Sequence, residues 1–100
     1  SIYEICLEKE LSSAGLKFER QKEIPICYKG IQLPHGFRAD FIVENRIIVE
    51  LKACEKASKL HEAQLLSYMR LANMELGLLI NFNNILLKDG IKRLALNNKS

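Results

Sequence analysis

The sequence predicts an α/β domain in which helices pack on one mixed β-sheet. Three observations carry that expectation. Residues 37–43 and 47–53, "FRADFIV" and "IIVELKA", alternate their side chains with period two, as strands do. Residues 2–14 and 58–73 instead repeat their apolar side chains at helical spacing. Residues 76–82, "LGLLINF", form a short apolar run bounded by Asn83 and Asn84, which marks a fully buried strand. Strands and helices that interleave along a chain build a layered domain around one sheet.

In chain order, "IYEICLEKELSSA" places Ile2, Ile5, Cys6, Leu7 and Leu11 on one side of a helix, and Gly15 is its expected stop. Residues 17–29 alternate loosely and contain Pro25 and a "YKG" turn, so they read as a hairpin; "LPHG", 33–36, reads as another turn. The two strands 37–43 and 47–53 are joined by "ENR". The second helix has Ser58 as its candidate N-cap and Leu60, Ala63, Leu66 and the Leu71/Met74 region as its apolar side. "ILLKDGIKRLAL" reads as a last strand, a turn at Asp89–Gly90 and a short terminal element. The expected order is α-β-β-β-β-α-β-β.

One hundred residues, 48% apolar and 27% charged, suit one soluble domain with a single core, spanning 1–100. A net charge of +3 leans toward anionic partners but falls short of a strongly basic nucleic-acid binder. Cys6, Cys27 and Cys54 lack the close spacing of a zinc or redox motif, so unbridged thiols in a reducing cytoplasm are expected, with Cys6 and Cys27 buried in apolar stretches. No apolar run approaches the roughly 20 residues that cross a bilayer. Ser1 opens the chain inside a helical repeat, so the native start is expected upstream.

The strand "IIVELKAC" carries charges where a buried strand should carry none. Glu50 and Lys52 share a face with Ile48, whereas Ile47, Val49, Leu51 and Ala53 make the other face apolar. A two-residue turn before this strand would set Asp40 opposite Val49, among aliphatics. A three-residue loop, Glu44-Asn45-Arg46, pairs Val43 with Ile47 and Asp40 with Glu50 instead; such loops usually end in a left-handed residue. One face then holds Ala39, Phe41, Val43, Ile47, Val49 and Leu51, and the other gathers Asp40, Glu50 and Lys52. A slip of one residue would scramble both faces, which favours the longer loop. Facing carboxylates repel. They become favourable with a divalent cation between them, and magnesium prefers such oxygen ligands together with water and substrate phosphate. Lys52 beside them would balance phosphate charge or orient a water. The blander reading is a solvated Glu–Lys pair on an edge strand, which contributes little.

"RAD-x9-E-L-K" resembles the D-x(n)-[DE]-x-K signature of the PD-(D/E)XK nuclease superfamily. "YKG", "GFRADFIVENRIIVELKA", "HEAQLLSYMRL", "LGLLINF" and "LKDGIKR" together resemble its small GxxExxY family over nearly the whole chain. The resemblance implies a restriction-endonuclease-like α-β-β-β-α-β core with a mixed central sheet flanked by helices. It implies Asp40, Glu50 and the Leu51 carbonyl as ligands of Mg2+ or Mn2+, Lys52 as the signature lysine, and Gln64 facing the site from the following helix. Tyr68 and His61, one turn either side of Gln64, would line the mouth. The glutamate that gives the family its name falls just before Ser1 when "SIY" is aligned. Glu4 and Glu8 are the stand-ins for the superfamily's first-helix acid, Glu4 the weaker because it adjoins the motif tyrosine.

Three functional readings follow. One is a magnesium-dependent nuclease hydrolysing phosphodiester bonds of DNA or RNA, with Arg38 and Lys56, and also Lys22, Lys29, Lys59 and Arg70, as phosphate contacts. The alternative is a catalytically silent nuclease-fold module that binds nucleic acid or a protein partner. A third class is self-association, as a homodimer paired through an exposed last strand.

Overall fold

The computed structural model of the chain describes residues 1–54, 59–83 and 87–96. Local sequence chemistry explains most of its elements. Ser1 caps the first helix, α1 (Ile2–Ser13), by accepting the amide N–H of Glu4, and Gly15 follows its end in a left-handed conformation. Strands β1 (Phe18–Tyr28) and β2 (Ile31–Val43) form a long antiparallel hairpin. Its two-residue turn is Lys29–Gly30, both at positive φ, which matches the twist of paired strands. Strand β3 (Ile47–Lys52) pairs antiparallel with β2, helix α2 (Lys59–Ala72) follows, and β4 (Leu76–Asn81) returns parallel to β3. A 3-10 turn at Leu87–Gly90 leads into β5 (Ile91–Ala95), antiparallel to β4. The strands stand in chain order in one five-stranded mixed sheet. This is the expected restriction-endonuclease-like α/β architecture.

The three-residue loop sets the expected register: Val43 pairs with Ile47, Ile42 with Ile48 and Phe41 with Val49. Its left-handed residues are Glu44 and Asn45, not the last one, and the Arg46 amide closes the turn on the Val43 carbonyl. The two faces of the sheet bury separate clusters. Under α2 lie Ile24, Ile26, Phe37, Ile42, Ile48, Leu79 and Leu94, packed by Leu65 and Met69. Under α1 lie Phe41, Val43, Val49 and Ile80, packed by Leu7 and Leu11. Ala39 departs from the expectation: it joins the α2 cluster, although Phe41, two residues on, joins the α1 cluster. The alternation of β2 therefore breaks at Asp40, opposite a gap in the ladder at Gln21.

Four expectations about elements are corrected. "LPHG" is no turn but lies inside β2, where the register shifts between Ile24 and Ile26; its proline and glycine mark a bulge. A Cβ at Gly36 would meet the backbone carbonyl oxygen of Ile24, so the close approach of the strands requires glycine. The last strand follows Gly90 rather than preceding it. Both helices cover the sheet with only part of their expected apolar sides: Leu7 and Leu11 of α1 pack on it, as do Leu66 of α2 and Met74 just beyond. On α1, Ile2, Ile5 and Cys6 are exposed, and Glu4, Leu7, Glu8 and Leu11 are half-buried. On α2, Leu60, Ala63 and Leu71 are exposed, and Leu65 and Met69 fill the core. Cys27 is also exposed, so neither Cys6 nor Cys27 is a core thiol. Ser58 and Lys56 lie outside the described residues.

Candidate metal and active site

Strands β2 and β3 are paired as far as Phe41–Val49. One residue beyond, the backbone is held by side chains instead. The Asp40 amide donates to Glu50 Oε1 at 3.1 Å, and the Leu51 amide donates to Asp40 Oδ2 at 2.8 Å. Each carboxylate thus takes a backbone donor beside the other, and two acidic groups are fixed together where the ladder ends. Both residues are half-buried. Burial, and then the Asp40 carboxylate, push Glu50 up to about 7; the Asp40 amide and Lys52 oppose that rise.

A cavity of about 180 Å³ opens beside Glu50, lined by Phe37, Glu50, Lys52, His61, Gln64, Leu65, Tyr68 and Leu79; Asp40 does not line it. Tyr68 is held by a stack on Phe37, with ring centroids 3.9 Å apart and planes 13° apart. Helix α2 therefore presents His61, Gln64 and Tyr68 to the same space as Glu50 and Lys52 of β3. Arg38 is exposed on β2 opposite Glu23 and does not line the cavity.

A second group reaches Asp40 from the other face. Glu4 of α1 accepts Arg20 Nη2 at 2.9 Å and Gln21 Nε2 at 2.8 Å. Gln21 Nε2 also lies 3.4 Å from Asp40 Oδ1. Glu8 accepts the other Arg20 nitrogen at 3.1 Å, so Glu4 first and Glu8 second raise the guanidinium further above its usual range. Of the two stand-ins for a first-helix acid, Glu4 is the one brought within a single side chain of Asp40.

The far end of β3 is clamped by Asn81, which is only 2% exposed. Its Oδ1 accepts the amides of Cys54 and Asn83, and its Nδ2 donates to the Cys54 carbonyl. The Phe82 amide donates to the Lys52 carbonyl at 2.9 Å. These bonds fix the backbone at and just beyond Lys52. Gln21, Asn81 and Phe37 carry no pattern that singles them out in the sequence; a polar residue ending the apolar run 76–81 is the only hint of Asn81.

The sequence matches the PD-(D/E)XK nuclease superfamily over residues 1–94. The chain belongs to that superfamily. No curated protein matches it, and no solved structure does. In this PD-(D/E)XK domain Asp40 lies on β2 and Glu50 and Lys52 on β3, at the position where the ladder between the two strands stops. Divalent metals are general among PD-(D/E)XK nucleases. The donors here suit a hard cation: Asp40 and Glu50 supply oxygen only, and each has one oxygen free of its backbone bond. Among the described residues no helix is long and apolar enough to cross a membrane.

Proposed function

We propose that the chain is a magnesium- or manganese-dependent nuclease domain of the GxxExxY type that hydrolyses phosphodiester bonds of nucleic acid. The observation that carries this reading is the mutual bonding of Asp40 and Glu50 through each other's strand, beside Lys52. Two carboxylates held this way repel, and the raised Glu50 is the measure of that repulsion together with burial. A divalent cation would relieve it, with Asp40, Glu50 and the Leu51 carbonyl as ligands. When bound, the metal would polarise the scissile phosphate and acidify a water.

The chain's own groups divide the remaining work. Lys52, half-buried beside Glu50, offsets charge that grows on the phosphate and orients the attacking water. Gln64 offers a neutral donor and acceptor to a water or a phosphate oxygen. His61 and Tyr68 line the entrance, and the Phe37 stack keeps the Tyr68 ring in place for contact with a base or sugar. Arg38 and Lys56 contact phosphates further along the strand. Edge strand β5, exposed at four of its five residues, offers pairing to a second copy.

A catalytically silent module that binds nucleic acid or a protein is the second reading. One observation favours it: among the described residues, no three His, Cys, Asp or Glu side chains converge to hold a metal. Cleavage of labelled DNA and RNA oligonucleotides with magnesium or manganese decides between them. The nuclease reading expects metal-dependent cleavage that Lys52→Ala reduces at least ~100-fold, the scale of a lost charge-stabilising donor. Nucleic-acid binding without cleavage by the wild type supports the silent module.

A further inference from the structure

We propose that Gln21 is a positioning residue for the Asp40 carboxylate, and that through it helix α1 sets the metal affinity of the site. This rests on the reading of Asp40 as a metal ligand. Gln21 sits in the interior of β1 with φ +48, a left-handed backbone that a side chain other than glycine seldom adopts in a strand. The surrounding pairs, Arg20–Phe41 and Lys22–Ala39, place it opposite Asp40, and it is the missing step in that ladder. Strained backbone of this kind persists where the surrounding structure holds it in place, and often where a site requires it.

What holds it is the side-chain amide. Nε2 donates to Glu4 Oε1 at 2.8 Å and stands 3.4 Å from Asp40 Oδ1. The short bond anchors the amide, and the long one steers Asp40. Glu4 is in turn fixed by Arg20 through its other oxygen, and Arg20 is fixed by Glu8. Adjacent residues Arg20 and Gln21 therefore connect the acidic face of α1 to the carboxylate at the end of the β2–β3 ladder. Asp40 is oriented from two directions: Oδ2 by the Leu51 amide and Oδ1 by Gln21. Few other side chains would serve. Asparagine is one methylene short of both carboxylates. Glutamate would add a third negative charge. Lysine would place a permanent cation beside the carboxylate that must receive one. A neutral donor of this length orients Asp40 and leaves its charge available. The break in β2 alternation between Ala39 and Phe41 falls at the same point, so the irregular backbone on both strands serves one carboxylate.

The test separates the amide from the backbone. Gly and Asn both tolerate a left-handed residue, so Gln21→Gly and Gln21→Asn keep the strand while withdrawing the amide. Manganese affinity is measured by calorimetric titration and the melting temperature is measured without metal, with Asp40→Asn as reference. Both Gln21 variants are expected to bind manganese ~10- to 100-fold more weakly, as for other residues that orient a metal ligand. Their metal-free melting temperatures should stay at or above that of the wild type. Affinities within twofold of wild type, with Asp40→Asn still defective, overturn the role of Gln21 and leave the metal site standing. Weaker binding matched by an equal fall in metal-free melting temperature also overturns it, because the residue is then merely structural. A wild type that binds no manganese removes the metal reading and this inference with it.

Discussion

Glu50 is the residue on which burial, repulsion and chemistry meet. Its carboxyl is raised from 4.5 to about 7, first by burial and then by Asp40. A carboxyl raised in the folded state binds its proton more tightly there than in the unfolded chain. Its contribution to stability is therefore full below about pH 4.5 and is lost as pH rises through about 7. Glu50→Gln keeps an acceptor for the Asp40 amide and cannot ionise. At pH 8 it should be more stable than the metal-free wild type by roughly 1–3 kcal/mol, reduced from the full shift because the group is only partly buried. Below pH 4.5 the two should melt together. A difference that persists at low pH would show that ionisation is not its cause. The pairing of Asp40 with Glu50 was legible in the sequence because parity and loop length admit only one register with a clean apolar face. Glu4 was not. Its burial follows from Arg20 reaching across from β1, and no helical period of apolar residues records an ion pair between elements.

At the scale of elements, Gly36 and Gly77 mark close approaches of different kinds. At Gly36 an added Cβ meets backbone, the carbonyl of Ile24. At Gly77 it meets the Met69 sulfur at 2.7 Å, where α2 lies directly on β4. A thioether can swing aside and a strand cannot. Gly36→Ala should therefore destabilise the fold by ~1–3 kcal/mol or more, and Gly77→Ala by less; chemical denaturation of both variants checks the order. The Asn81 clamp supplies a second comparison. Asn81→Ala removes two hydrogen bonds to the Cys54 backbone and should cost on the order of 1–3 kcal/mol. The two helices and the pairing of 37–43 with 47–53 could be read from period and turn chemistry, but 17–29, read as a hairpin, is the single strand β1, so three strands rather than four precede α2. The bulge at "LPHG" could not, since Pro and Gly punctuate a turn and a bulge alike. Which part of each helix's apolar side is covered was hidden for a related reason. Ile2, Ile5 and Leu60 are as apolar as the residues that pack, and only the position of the sheet decides which stripe is covered.

For the whole molecule, α1 and α2 cover opposite faces of one mixed sheet, and both send polar groups to the same end of the β2–β3 ladder. The cavity under α2 holds Lys52, Gln64, His61 and Tyr68, and the network under α1 holds Glu4 and Gln21. A net charge of +3 spread over a small surface predicts weak, salt-sensitive attraction to nucleic acid rather than tight binding. Arg38→Ala should weaken binding to all sequences alike and flatten the salt dependence by about one unit of slope; an unchanged slope would place the nucleic acid elsewhere. The proposed function rests on Asp40 and Glu50 as a metal pair, and thermal unfolding with and without magnesium tests that most directly. At ten times the dissociation constant, a ligand of the folded state adds about 1.4 kcal/mol, or roughly 6–11 °C for a domain of this size. The wild type should show that gain. Asp40→Asn should be equally or more stable without metal and gain nothing with it. Equal shifts in the two proteins would contradict the account, because the carboxylates would then be structural alone.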